Sequence, residues 1–121
     1  MMERQSRVRG VLGEVRAEQM LCDQGYEILA RNFKTTGAEI DLIARDGDSI
    51  VFIEVKTRTR GAATGREAIT PAKQKRICKG ALYYLMRRGL MNRQARFDVI
   101  EIQGERVTHI VNAFPYQGPA F

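Results

Sequence analysis

The chain contains no tryptophan, one histidine, two cysteines and three prolines in 121 residues. Each shortage closes off a class of protein. Cys22 and Cys78 stand far apart, with no second cysteine or clustered histidine beside either, which is neither a disulfide framework nor a zinc spacing. Both are read as small buried hydrophobes. The lone His109 lies in an alternating apolar stretch far in sequence from any acidic pair, so a structural role is expected of it. No GxGxxG or P-loop pattern is present to cradle a nucleotide, and no internal repeat. No apolar run approaches the roughly 20 residues of a membrane helix. Residues 1–7 lack an apolar signal stretch followed by a small-residue cleavage site. A soluble, cytoplasmic protein without a membrane partner is expected.

Hydrophobic residues make up 44% and charged residues 28% of the chain, ordinary globular composition that excludes general disorder. The length suits one domain over residues 1–121, with short tails at 1–8 and 114–121. Twenty basic residues stand against 14 acidic, a net charge of +6 that suits a polyanionic partner. The excess is local. Between residues 56 and 79 lie Lys56, Arg58, Arg60, Arg66, Lys73, Lys75, Arg76 and Lys79 against the single acid Glu67, so the rest of the chain is close to neutral.

Periodicity predicts a helix over 8–23, with Val8, Val11, Leu12, Val15 and Cys22 near one stripe and Gly25 as its stop. Strands follow at 26–33, 39–44 and 49–56, the last two joined by a turn centred on Asp46-Gly47. Residues 57–69, rich in Gly, Ala, Thr and Arg, read as a loop. Thr70-Pro71 opens a second helix ending at Gly89, with Ile77, Cys78, Ala81 and Leu85 inward and Lys75, Arg76, Lys79 and Tyr83 outward. Two further strands, 97–103 and 107–113, complete an α-β-β-β-α-β-β order. That order predicts an α/β fold, a mixed central sheet with helices on its faces.

The informative feature is Glu39-Ile40-Asp41 beside Glu54-Val55-Lys56 on adjacent strands. A turn centred on Asp46-Gly47 sets Arg45 opposite Asp48, Asp41 opposite Phe52 and Glu39 opposite Glu54. Alternation then puts Glu39, Asp41, Glu54 and Lys56 on one face and Ile40, Leu42, Val51, Ile53 and Val55 on the other. Gathered carboxylates repel, so something must compensate. Lys56 can neutralise one charge; a divalent cation of the Mg²⁺, Mn²⁺ or Ca²⁺ kind can neutralise two, and diagonal neighbours such as Asp41 and Glu54 lie within reach of a shared ion. Glu14 shares a side of the first helix with Val11, Ala17 and Leu21, where a carboxylate needs a partner, whereas Glu18 falls on the solvated face.

These residues resemble a family. Gly13-Glu14-x-x-Ala17 with Leu21, Arg31-Asn32, Glu39-Ile40-Asp41-Leu42-Ile43, Val51-Phe52-Ile53-Glu54-Val55-Lys56-Thr57-Arg58, Lys73 and Arg96-Phe97-Asp98-Val99 are similar to the YraN-like uncharacterised proteins of bacteria. Those in turn resemble archaeal Holliday junction resolvases and the PD-(D/E)XK restriction-endonuclease-like superfamily. The likeness spans roughly residues 9–113. It departs at Ile40, where the superfamily has proline, and at Ala38, where relatives usually have glycine.

The resemblance implies a restriction-endonuclease-like αβββαβ core and a metal-dependent nuclease acting on DNA, structured or branched DNA included. It makes Asp41 and Glu54 ligands of Mg²⁺ or Mn²⁺, Lys56 the catalytic lysine, and Glu14 a supporting acid and ligand from the first helix. Dimerisation is expected by the same analogy. Arg58, Arg60, Lys73, Lys75, Arg76 and Lys79 are expected to grip phosphates. Two other functions stay open: a non-catalytic nucleic-acid-binding module, and a protein-interaction adaptor in DNA processing.

Overall fold

A computed structural model describes residues 2–58 and 69–118, with side chains from residue 12 onward in the first segment. Its elements are α1 (Met2–Asp23), β1 (Glu27–Thr35), β2 (Ala38–Asp46), β3 (Ser49–Arg58), α2 (Pro71–Arg88), β4 (Gln94–Gln103) and β5 (Arg106–Phe114). The strands form one sheet in the order β1-β2-β3-β4-β5. Only β3 and β4 run parallel; α2 is the crossover that parallel pairing requires. This is the αβββαβ order of a restriction-endonuclease-like core with one further strand at its edge. The loop expected at 57–69 lies mostly outside the described residues, although β3 itself continues to Arg58.

Each helix covers one face. Against α1 pack Leu42, Ala44, Val51, Ile53, Ile100 and Ile102; against α2 pack Ile43, Ile50, Phe52, Phe97 and Val99. Aromatic rings thread the α2 side, with Phe52 and Phe97 stacked at 5.7 Å and Phe97 and Phe114 at 5.1 Å between centroids. The α2 boundaries follow local chemistry. Thr70 Oγ1 accepts the Lys73 N–H at 3.2 Å, Pro71 needs no donor in the first turn, and Gly89 adopts φ of +67° while Leu90 N–H reaches Leu85 O at 2.8 Å. Ile77, Cys78, Ala81 and Leu85 are buried as the pattern requires, joined by Tyr84.

Two expectations fail on α1. The helix begins at Met2 rather than at residue 8, and of its predicted inward stripe Leu12, Val15 and Cys22 do not face the sheet, while the side chains of Val8 and Val11 lie outside those described. Leu12 and Val15 are 57% and 54% exposed, and Cys22 is exposed too, so only Cys78 is the buried thiol. The inward stripe is instead Gly13, Ala17 and Leu21, at i, i+4 and i+8. Small residues win because the helix lies very close to the sheet. A Cβ on Gly13 would stand 2.6 Å from Thr57 Oγ1 and 3.4 Å from Ile102 Cδ1.

The hairpin register also differs. Asp46 pairs with Ser49 and Leu42 with Ile53, so the turn is Gly47-Asp48, one position later than expected. Gly47 has φ of +60° at the first of two turn positions, the II′ pattern that matches strand twist. The predicted partners, Asp41 with Phe52 and Glu39 with Glu54, are therefore displaced by two residues, which preserves the face. Carried one step past Leu42↔Ile53, the observed register sets Asp41 level with Glu54. Ile40 departs from alternation and packs on the α2 side, against Gly80, rather than with Leu42. Its β1 partner Phe33 does the same, just after Asn32, whose φ of +50° breaks the regular pleat.

Candidate active site

The β2–β3 pairs end at Leu42↔Ile53, and beyond them a side chain takes over from the ladder. The Val55 N–H donates to Asp41 Oδ2 at 2.7 Å. Asp41 is thus fixed by the backbone of the neighbouring strand, and it lines a recess of about 200 Å³ with Gly37, Ala38, Glu39, Glu54, Lys73, Arg76 and Ile77. Glu54, on central β3, is only 7% exposed. Its Oε1 receives two amines, Lys56 Nζ at 3.4 Å and Lys73 Nζ at 2.7 Å. Lys56 follows Glu54 by two positions on the same strand face; Lys73 arrives from the first turn of α2.

Glu14 enters from the other helix. The close approach of α1 at Gly13 brings its carboxyl into hydrogen-bonding contact with Asp41, near Glu39 and Glu54. Four acids therefore share the recess and its margin with two ammonium groups. Burial, then the Glu54 charge and then Glu14 push the Asp41 carboxyl up to about 7, against the opposing Val55 N–H and Lys73. Burial and the neighbouring Glu39 and Glu54 also raise Glu14, although its hydrogen bond to Asp41 works the other way. Both carboxyls thus hold a proton more firmly than an isolated acid does, because each would ionise away from water and beside other carboxylates.

The two lysines part in opposite directions. Burial and the adjacent Lys73 lower the Lys56 amine, the Glu54 carboxylate opposing. Burial works against a charged Lys73 as well, but its bonds to Glu54 and Lys56 outweigh it and hold that amine above the ordinary lysine value.

The donor set is all hard oxygen, which fits Mg²⁺ or Mn²⁺. Among the described residues no group of three or more acidic, histidine or cysteine side chains is placed to hold a metal ion. Mg²⁺ does not need one, since it commonly takes one or two carboxylates and completes its shell with water and substrate phosphate. The Lys56 and Lys73 ammonium groups already stand where a cation would compensate Glu54.

The predicted phosphate-binding residues divide. Lys75, Arg76 and Lys79 are exposed on α2, and Arg76 also borders the recess. Lys73 belongs to the acidic recess itself. Position three of a helix opening next to β3 is the signal for that placement, and charge counting alone missed it. Arg58 is half-buried, with Nε and Nη2 shielded and without a hydrogen-bond partner among the described residues. Arg60 lies outside the described residues.

A second polar cluster gives His109 its place. Asp98 is buried and accepts from Arg96 Nε at 3.1 Å and from the Asn112 N–H at 3.0 Å, with His109 Nε2 at 2.7 Å. Arg96 continues to Asp46 at 3.1 Å and to the Tyr26 hydroxyl at 2.7 Å. Burial alone would raise the Asp98 carboxyl, but His109, Asn112 and Arg96 outweigh it and hold it below the ordinary range. The cluster ties β4 to the β5 irregularity at Asn112 and to the β2 hairpin, the structural role expected of His109.

The model of the uncharacterised protein family UPF0102 matches residues 13–102. The chain belongs to UPF0102. It is 45% identical over 115 residues to a UPF0102 protein of Geobacter sulfurreducens, covering 90% of each chain. It is 42% identical over 118 residues to one from Desulforapulum autotrophicum, covering 93% of this chain and 98% of the relative. A UPF0102 protein of Pelobacter propionicus is 49% identical over 117 residues, covering 90% of this chain and 84% of that one. The UPF0102 match contains Glu14, Asp41, Glu54, Lys56 and Lys73, so every acid and amine discussed in the recess lies within the family region. No described helix of this UPF0102 chain is long and apolar enough to cross a membrane.

Proposed function

We propose that this chain is a metal-dependent nuclease that hydrolyses phosphodiester bonds of DNA, structured or branched DNA included, in the cytoplasm. The observation that supports it is the convergence of Asp41, Glu54, Lys56 and Lys73 at one recess, bordered by cations and reached by Glu14. Asp41 and Glu54 would hold Mg²⁺ or Mn²⁺, and Glu14 would support Asp41. Bound there, the ion supplies Lewis-acid polarisation of a phosphoryl oxygen and acidifies a water. Lys56, beside Glu54 on the same strand face, would position the attacking water, whose proton passes in the end to the leaving oxygen. Water adds to phosphorus and one P–O ester bond breaks, leaving a phosphate monoester and a hydroxyl end. Lys73 balances charge on Glu54, and Arg76 meets the flanking phosphate.

Cleavage of branched, flapped and plain duplex DNA with Mg²⁺ or Mn²⁺ tests this reading, comparing the native chain with Asp41→Ala and Lys56→Ala. Loss of scission in both variants is expected; scission that survives both removes this recess from consideration. One observation favours a second reading, a non-catalytic nucleic-acid-binding module: Glu54 already has two amine partners and needs no metal for neutrality. Calorimetry separates the two, because saturable Mn²⁺ uptake that Glu54→Ala abolishes is incompatible with a purely structural cluster.

A further inference from the structure

A larger groove adjoins the recess along α2. It encloses about 720 Å³ between Lys34, Thr35 and Thr36 on one wall and Lys79, Leu82, Tyr83 and Met86 on the other. The same β1–β2 turn borders both hollows, since Thr35 and Thr36 line the groove while Gly37 and Ala38 line the recess. Both also share α2, with Lys73, Arg76 and Ile77 at one hollow and Lys79 to Met86 at the next. From Lys73 to Tyr83 the helix rises about 15 Å, a span of a few nucleotides.

Charge and shape agree on the occupant. Helix α2 carries Lys73, Lys75, Arg76, Lys79, Arg87 and Arg88 and no acid, and Lys34 faces it across the groove. Tyr83 is 45% exposed although its neighbour Tyr84 is buried. Phe33 supports the ring at 6.4 Å, and Arg87 steadies it, donating to the hydroxyl at 2.7 Å with its guanidinium 5.5 Å from the centroid. A supported aromatic ring among cations, open to solvent, is the usual platform on which single-stranded nucleic acid stacks.

We infer that the Lys34–Lys79–Tyr83 groove receives an unpaired nucleobase of a strand whose backbone continues into the acidic recess. This inference rests on the nucleic-acid reading above and deepens it, because it names the substrate class: strands with an unpaired segment beside the cleaved bond. Bases inside a continuous duplex have both faces covered and cannot stack on Tyr83. Lys34 and Lys79 meet the phosphates on either side of the flipped or unpaired base.

The test is fluorescence anisotropy in EDTA, so that nothing is cleaved, with three probes: a labelled single strand, a duplex with a single-stranded overhang and a blunt duplex. DNA and RNA versions of the single strand show whether the platform distinguishes the sugar. Tyr83→Ala is expected to weaken binding of the single strand and the overhang by about 5- to 150-fold, the effect of losing one stacked base. Blunt-duplex binding should change less than about twofold, and Tyr83→Phe should bind like the native chain. Tyr83→Leu, which keeps an apolar contact for Phe33, guards against a folding defect and should behave as the alanine variant does. Lys34→Ala and Lys79→Ala should each lower the salt slope by about 1. Equal losses on all probes, or none on any, overturn the inference. Metal-dependent scission that persists without a Tyr83 effect rejects the groove alone. A Tyr83 effect without scission rejects the nuclease alone, and no nucleic-acid binding at low salt rejects both.

Discussion

Replacing Asp41 by asparagine should stabilise the chain at pH 8 in EDTA while abolishing the Mn²⁺ uptake proposed above. In the folded chain Asp41 gives up its proton only near pH 7, because it is buried next to Glu54 and Glu14. Unfolded, it does so near pH 4. The native state therefore binds the extra proton between those values, and stability falls as pH rises through that window, being complete below about 4 and lost above about 7. A midpoint raised by about three pH units corresponds to about 4 kcal/mol. Asparagine removes the charge yet keeps an oxygen for the Val55 N–H; it forfeits only the attraction to Lys73. A net gain of about 2–4 kcal/mol at pH 8 follows, a rise in Tm on the order of 10 °C. At pH 4 the two chains should melt together. With saturating Mn²⁺ the order should invert, since ligand binding stabilises only the chain that retains its site. Thermal melts from pH 4 to 8, with EDTA and with Mn²⁺, provide the measurement. An asparagine variant less stable than the native chain at pH 8 in EDTA refutes the electrostatic account, for it would mean that the Lys73 attraction and the Val55 bond outweigh burial and repulsion.

Three further outcomes are expected. Asp98→Ala should cost about 3–5 kcal/mol in urea unfolding, because Arg96 then loses its buried counter-charge and the Asn112 N–H its acceptor. Its carboxyl is held below the ordinary range, so its stabilisation is complete above about pH 4 and fades as pH falls further; acid titrations of the native chain and Asp98→Asn should differ most above that point and converge below it. Lys56→Met should abolish strand scission while leaving Mn²⁺ uptake within a few-fold of native by calorimetry; equal loss of both would make the amine structural. Gly13→Ala should destabilise by about 1–2 kcal/mol despite alanine's better helix propensity, because its Cβ meets Thr57 Oγ1 at 2.6 Å. A double-mutant cycle with Thr57→Ala should recover most of that loss, and additive penalties would contradict the contact.

The sequence exposed those features that depend on local chemistry and period. Thr70, Pro71 and Gly89 bound α2 because capping is decided within a few residues, and the same-face placement of Asp41 and Glu54 survived a turn displaced by one position because partners then move by two. What escaped was set by distant neighbours. Leu12 and Val15 look like an inward stripe, but Gly13 and Ala17 face the sheet because Thr57 and Ile102 leave no room for larger side chains. Ile40 breaks alternation next to the left-handed Asn32, a backbone feature that hydropathy does not register. Lys73, read as a phosphate-gripping cation and as one residue of the family likeness, gained its pairing with Glu54 only once α2 was placed beside β3. The partner of Asp98 was likewise hidden, since His109 arrives from the neighbouring strand.

The shared oxygen of Glu54 has a bearing on how the chain folds. With Lys56 and Lys73 leaning on one carboxylate, much of the pocket's negative charge is offset by amines the polypeptide carries with it. Unlike small domains that collapse only around zinc, this one has its counter-charge built in, and its folding should be indifferent to chelators.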